Sequence, residues 1–559
     1  MLFGGCVMDV CRDAIMSEEY GDFIVNFVGN NKAALDKYKA SCFQRISSYY
    51  GSIYSPLNEL KDLSLRNYSF GSIPALYGLM ERDLSVRSRD LQQALEKSGI
   101  LKLQRQPVLS LKGQGCIMAF IDTGIDIFDN LFRYSNGDTR IIRIWDMNDN
   151  TGTPPEGILY GSEYTEEDIN EVLRGGEAVG DNMRRNGIAR DDLNHGNILA
   201  KIAAGNDGAV PGAYIVVVKL KPAKRYLRDY YFVKEDAIAF QENDIMLGLN
   251  YVRNISIKMN MPISLCMTLG TNGRGHDGSS TLSYIIDRFV SGVGAVVSMP
   301  TGDEGNKQLH AYGQIVSNDY DTVEVRVDER QQGLMINIWG GKPGIISVGL
   351  VSPTGEVIER VEPRIGKSEI YNLIFDGTTV TIEYDLVEGD TGDELIIIKL
   401  ENPTAGVWSI RVYGDNEQYN QQYNVYLPIS QFIYENTYIL EPDPDVTIVD
   451  PGLSAGAITT SLYNPVNGAL YINNGRGFAR DGAIKPDIAT ALSSGIMAGA
   501  ACQFLNWGIV EGKDGELRAS DIKSYMIRGA IRDNAINYPD RQWGYGKMDV
   551  YNSFEIIKG

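Results

Sequence analysis

The chain has 559 residues and a net charge of −20, with 43% apolar and 22% charged residues. That balance is that of a soluble globular protein, the length calls for two to four structural units, and the acidity argues against nucleic acid and anionic membrane surfaces as partners. No apolar run reaches the roughly 18 residues that span a bilayer.

Met1 to Asp9 lacks the positive start of a signal peptide. Cys6, Cys11, Cys42, Cys116, Cys266 and Cys502 show no CxxC pairing, which suggests reduced, partly buried thiols rather than a disulfide framework. Both features point to a protein made and kept in a cytoplasm-derived compartment.

In chain order, residues 1–102 read as a small α+β unit. Asp22 to Phe27 alternates like a strand, while Lys32 to Ile46 and Arg89 to Lys97 read as helical. Residues 103–315 change to short buried-type strands (Cys116 to Ile121, Ile215 to Leu220, Ile263 to Leu269, Gly294 to Met299). Helical stretches at Asp236 to Arg253 and Leu282 to Ser291 alternate with them. That alternation is the signature of a parallel α/β sheet. Residues 316–447 turn to period-two strands separated by Gly- and Pro-containing turns, as in an antiparallel sandwich or jelly roll. Residues 448–559 resume the α/β pattern, with a helix over Ser494 to Leu505. An all-β module is thus inserted within an α/β domain.

Two segments carry chemistry. Asp122 closes the buried run Phe120-Ile121-Asp122-Thr123-Gly124, where a tight turn would hold a carboxylate rigidly. His195 stands before Gly196 at the entrance of a small, apolar helix. Acyl transfer by a serine enzyme needs such a carboxylate and imidazole, a hydroxyl nucleophile, and donors for the oxyanion. Either motif alone is weak; their order Asp, His and then a third partner downstream is the subtilisin-type order.

Together with Arg143-Ile144-Trp145-Asp146, Thr153-Pro154-Pro155-Glu156-Gly157, Leu269-Gly270-Thr271-Asn272, Lys485-Pro486-Asp487-Ile488 and Trp543-Gly544-Tyr545-Gly546-Lys547, these segments resemble the subtilase family of serine peptidases. More narrowly, they resemble the clostridial Csp germination group. The resemblance runs over essentially the whole chain. It implies a subtilisin-like parallel sheet flanked by helices, an N-terminal α+β prodomain, and an inserted antiparallel β jelly roll. Asp122 and His195 take the triad positions, and Leu269 and Gly270 line the substrate groove.

The departures are as informative. Asn194 and Asn197 replace the family's Gly before the His motif and Thr after it. Asp303, in Thr301-Gly302-Asp303-Glu304-Gly305, stands where the family has an oxyanion-binding Asn. Loss of one such donor typically costs about 10²–10³ in rate. The nucleophile maps onto Ala491, and the loop before it is missing, so that Ile488 runs almost directly into the helix. On a continuous helix Ser493 would face away from His195, and Ser494 would lie about 4.5 Å further along the axis.

The resemblance therefore implies a pseudoprotease whose uncleaved prodomain stays in the groove. Its place would be the spore, and its role germination signalling or regulation. Its partners would be an active protease, a cortex-lytic enzyme precursor or a small-molecule germinant. The alternative is an active endopeptidase that processes such a precursor. No cofactor and no metal are implied. His276 and His310 lack paired ligand spacing and read as loop hydrogen-bonding residues. Glu383 to Glu394 reads as a solvated hairpin rather than a calcium loop, and the 32 tyrosines as sheet residues rather than a glycan surface.

Overall fold

The computed structural model describes residues 5–27, 36–82, 87–175, 187–315, 319–364, 366–415 and 421–558. Strands β1 (Tyr20–Asn26), β2 (Cys42–Arg45) and β3 (Tyr50–Pro56) form a small antiparallel sheet in the order β1-β3-β2, beside the helix Gly5–Met16. The helix expected over Lys32 to Ile46 is corrected at its C-terminal end, because Cys42–Arg45 pairs with β3 as a strand. Residues 32–35 of that expectation lie outside the described residues.

The reduced-thiol expectation is also corrected in part. Cys11 and Cys42 form a disulfide between the first helix and β2, with Cα atoms 5.4 Å apart. Folding brings this pair together across 31 residues of sequence, a juxtaposition that spacing does not reveal. Cys116, Cys266 and Cys502 are free and buried, as read.

The chain then lays down the short strand β4 (Leu76–Leu79) before entering the main sheet. That sheet contains β5 (Ile117–Asp122), β6 (Ile141–Asp146), β7 (Ser162–Thr165), β8 (Tyr214–Lys219), β10 (Ile263–Cys266) and β12 (Ala295–Pro300). The late strands Ile458–Tyr463 and Ile488–Ala491 extend it beyond β12. Its pairs are parallel, apart from β7 at one edge. β5, β10 and β12 are buried along their whole length, which explains their near-continuous apolar runs. Helices including Glu242–Met259, Thr281–Val290 and Ser494–Leu505 pack on it, and their apolar side chains join one large core.

Between β12 and Ile458 the chain builds two antiparallel sheets. One has six strands, from edge strand His310–Ile315 to edge strand Ser368–Leu373, and the other has five, from Val357–Val361 to Tyr438–Ile439. Side chains from both sheets form a second, separate core. The α/β fold with an inserted β domain follows from these two cores.

The N-terminal unit is tied to both. Phe23, Ile53, Leu76 and Met80 pack with Leu227, Ala239, Phe432 and Val449 in a shared apolar cluster. Within the same interface lies a buried polar network. Lys224 Nζ sits 2.6 Å from Asp22 Oδ1 and donates to the Tyr20 carbonyl at 3.0 Å. Gln241 Nε2 donates to Asp22 Oδ2 at 2.8 Å, while Lys221 pairs with Asp244 at 2.7 Å. Burial pulls the Lys224 ammonium below its usual range against the opposing pull of Asp22. Removing one member of such a pair leaves an uncompensated buried charge. Asp22→Ala is therefore expected to destabilise the chain by about 3–5 kcal/mol, read from chemical unfolding curves, with early loosening of the N-terminal unit in hydrogen exchange.

Candidate active site

Asp122 is the last residue of β5, at the carboxyl edge of the parallel sheet, where open α/β folds place their functional groups. Its carboxylate is held from several sides. Thr123 donates to Oδ1 through its amide (2.7 Å) and its hydroxyl (3.0 Å), and Thr268 Oγ1 donates to Oδ2 at 3.0 Å. Two glycines let the His195 helix and the loop before it approach. A Cβ on Gly124, whose φ is +131°, would lie 2.3 Å from the Ala189 carbonyl oxygen; one on Gly196 would lie 2.5 Å from the Gly124 carbonyl oxygen.

His195 opens the helix His195–Ala204 and is buried. Its Nδ1 lies 2.8 Å from Asp122 Oδ1, and its Nε2 lies 2.8 Å from the Met80 carbonyl oxygen. Both partners accept hydrogen bonds only, so both ring nitrogens carry protons and the side chain is an imidazolium. Burial alone would lower its pKa. The Asp122 charge, its hydrogen bond, the Met80 carbonyl and the more distant Glu81 charge together outweigh burial and raise it to about 9. Asp122 mirrors this: burial pushes its carboxyl up, but His195, Thr123 and Thr268 hold it below the ordinary value. Asn194 and Asn197 bind one another, Asn197 Nδ2 donating to Asn194 Oδ1 at 2.9 Å, and Asn197 Oδ1 accepts from the Asp126 amide at 3.2 Å.

Met80 reaches His195 because β4 is a central strand. On one side Leu79 and Gly78 pair antiparallel with Leu269 and Gly270 of β11 (Leu269–Gly270), and the Met80 amide donates to the Thr268 carbonyl at 2.8 Å. On the other, Leu76 and Tyr77 pair with Gln241 and Phe240 of β9 (Phe240–Gln241). Glu81 follows, with φ +60° and only 5% exposed. Its Oε2 accepts from Ser493 Oγ at 2.6 Å and its Oε1 from the Ser494 amide at 2.9 Å. Burial raises the Glu81 pKa, the Ser493 and Ser494 donors work against it, and Asp303 adds to the rise.

Ala491 is buried at the end of the strand Ile488–Ala491, not in the first turn of the helix. The helix starts at Ser494, after Leu492 in the left-handed region (φ +71°) and an extended Ser493, whose hydroxyl caps it by accepting from the Gly495 amide at 3.1 Å. The helical rotation expected to turn Ser493 away from the site is thus corrected, because Ser493 precedes the helix. Ser493 meets Glu81, and Ser494 Oγ lies 3.6 Å from Cys266 Sγ. Asp303 receives the Arg82 amide at 3.5 Å and lines a cavity of about 400 Å³ with Glu81, Tyr471 and Leu492. Its neighbour Glu304 is buried and accepts from the Ser430 amide; burial, with help from Asp303, raises its pKa to about 7.

The structure therefore gathers Asp122, His195, Leu269 and Gly270 around β4, with Asp303 beside the adjoining cavity. Sequence reading missed Met80, Glu81 and Thr268; only the short apolar run from Leu76 to Met80 hinted at a buried strand there. His276 stacks on Tyr426 at 3.8 Å and bonds the Ile448 carbonyl, while His310 bonds Asn424 and the Asp443 carbonyl. Among the described residues no group of three or more His, Cys, Asp or Glu could hold a metal, and no helix is long and apolar enough to cross a membrane.

No family profile and no curated protein sequence matches the chain. Among solved structures, the Clostridium perfringens CspB protease matches over 83% of this chain and 97% of its own, with 24% identity and a TM-score of 0.72. Fervidolysin from Fervidobacterium pennivorans, a keratinolytic enzyme related to subtilisin, matches over 96% of this chain and 61% of its own, at 10% identity and a TM-score of 0.44. The chain shares its fold with the first of these, the subtilisin-like α/β fold with an inserted β domain.

The raised His195 pKa makes a signed prediction. The His195 cation, held by Asp122 first and by the Met80 carbonyl second, stabilises the folded chain fully below pH 6.5, and that stabilisation is lost as pH rises through about 9. The loss is of order 3 kcal/mol. Denaturant unfolding at pH 7 and pH 10 should show it in the wild type, and a His195→Gln variant should lose much less over the same interval.

Proposed function

We propose that this chain is a subtilisin-like pseudoprotease of the Csp kind. It keeps its N-terminal unit as a resident ligand in the former substrate groove, and it works by binding rather than by cleaving. The observation that carries this reading is the double engagement of His195, by Asp122 on one nitrogen and by the Met80 carbonyl on the other.

A serine peptidase needs a neutral imidazole with a free lone pair, aimed at the nucleophile's hydroxyl. Here the imidazole is a cation and both nitrogens are spent. Acyl transfer also needs the scissile carbonyl oxygen turned toward oxyanion donors. The Met80 oxygen faces His195 instead, and donors at the helix entrance, the Ser494 amide and Ser493 hydroxyl, are filled by Glu81. Asp303 adds a negative charge close to where such an enzyme develops one. The motif resemblance to the Csp germination group supports a role in the spore during germination, through an active protease or a cortex-lytic enzyme precursor as partner, or through a small germinant.

One observation favours the alternative of an active endopeptidase: Ser493 and Ser494 both stand at the helix entrance and bind the carboxylate of Glu81, the residue after Met80. The two readings separate in one experiment. A non-cleaving chain purifies as a single species of 61.8 kDa and takes up no fluorophosphonate probe. Stable fragments from cleavage after Met80, or labelling abolished by Ser493→Ala or Ser494→Ala, would establish the enzyme instead.

A further inference from the structure

The helix that His195 opens runs from the carboxyl edge of the main sheet to its amino edge, about 15 Å away. There the segments leading into β5, β6 and β8 meet around an open cavity of about 700 Å³. Lys112, Arg133 and Arg140 line it and no carboxylate does, in a chain whose net charge is −20. The cavities beside Glu81 and beside Arg228 are lined by both signs of charge.

Arg140 forms the base of this cavity and is only 1% exposed. Its Nη1 donates to the Ala213 carbonyl at 2.9 Å, and its Nη2 to the Leu131 carbonyl at 2.8 Å and to the Ala204 carbonyl. The last bond caps the negative end of the His195 helix. All these acceptors are neutral, and Nε has no partner. Burial lowers the Arg140 pKa to about 10, with only Tyr134 working against it. Buried charges are normally paired, because desolvation of a lone ion is costly. The acids adjoining these segments are engaged elsewhere: Asp129 with Lys201 and Asp138 with Arg174, each at 2.6 Å.

Two further cations stand over Arg140. Arg133 bridges to Thr139 across the turn before β6, and its Nη2 donates to the Phe128 carbonyl at 2.8 Å, while its Nε has no partner. Asn206 ties the two arginines together, accepting from Arg140 Nη2 and donating to the Arg133 carbonyl, both at 3.1 Å. Lys112 comes from a third direction. Its carbonyl accepts from the Gly212 amide at 2.8 Å, and its side chain is exposed at the rim.

We propose that this cavity is a binding site for a small phosphate-bearing anion, contacted by Lys112 and Arg133 above the buried charge of Arg140. Three cations without a lining acid favour a dianion over a monoanion. A tetrahedral phosphate offers oxygens to donors arriving from separate segments, whereas one guanidinium fork already matches a planar carboxylate. The ligand is a free molecule and not a lipid headgroup, because the acidity of the whole chain repels an anionic bilayer. The site lies at the opposite edge of the sheet from Asp122, so it stands whether or not the chain cleaves peptides.

The test is calorimetric titration of the full-length chain with inorganic phosphate and with glycerol phosphate at constant ionic strength, acetate serving as the monocarboxylate control. Both phosphates should bind saturably, and acetate about tenfold more weakly. Lys112→Gln and Arg133→Gln should each weaken phosphate binding by about tenfold, and Lys112→Arg should restore most of it. Lys112 is exposed, so its variants decide the matter should Arg133→Gln misfold. Absence of saturable heat with either phosphate, equal affinity for acetate, or phosphate affinity unchanged in Lys112→Gln would each overturn the proposal. Cosedimentation with phosphatidylglycerol vesicles without binding of free phosphate would overturn it too, by making a lipid headgroup the ligand.

Discussion

A histidine with an acceptor on each side has to carry two protons, and much of this molecule is arranged around that constraint. Asp122 supplies the charge that makes the cation tolerable in a buried place, and the Met80 carbonyl takes the nitrogen that a nucleophile would otherwise use. Thr123 and Thr268 hold Asp122 still, while Gly124 and Gly196 let the backbone come close enough for the contact. An imidazolium in that position is a structural clamp. It stabilises the strand that crosses the site, and while clamped it accepts no proton.

The clamp works only if β4 stays in register, and buried polar partners from the α/β domain see to that. Glu242 accepts from the Ala75 amide at 2.9 Å and is ion-paired with buried Arg274, while Tyr77 donates to buried Asp450 at 3.1 Å. Asp22 and Lys224 hold the small sheet against the segment that follows β8. These contacts are polar as well as buried. Each therefore fixes a position more sharply than apolar packing does, because a shift of one residue would strand a charge.

Much of this was open to reading from sequence. Near-continuous apolar runs mark β5, β10 and β12 because both their faces are covered. Alternation marks Tyr320–Val327 because only one of its faces is covered. Asp122 and His195 announce themselves through the small residues that must flank them. The disulfide between Cys11 and Cys42 did not, and neither did Glu81, an ordinary acid in an ordinary stretch. The helix Ser494–Leu505 was legible with those bounds, but not that Ala491 ends a strand paired with Tyr463 or that Leu492 turns left-handed before it.

The sequence by itself determined the layered architecture, the interruption by a β module, and the positions of the carboxylate and imidazole. Those depend on periodicity and on local backbone demands, which neighbouring residues encode. Only the tertiary structure decided what the imidazole does. Its second partner comes from 115 residues earlier in the chain, and the carboxylate at the helix entrance from 413 residues before Ser494. Contacts across such separations leave no local trace, because they depend on how whole strands register against each other and not on which residues stand nearby.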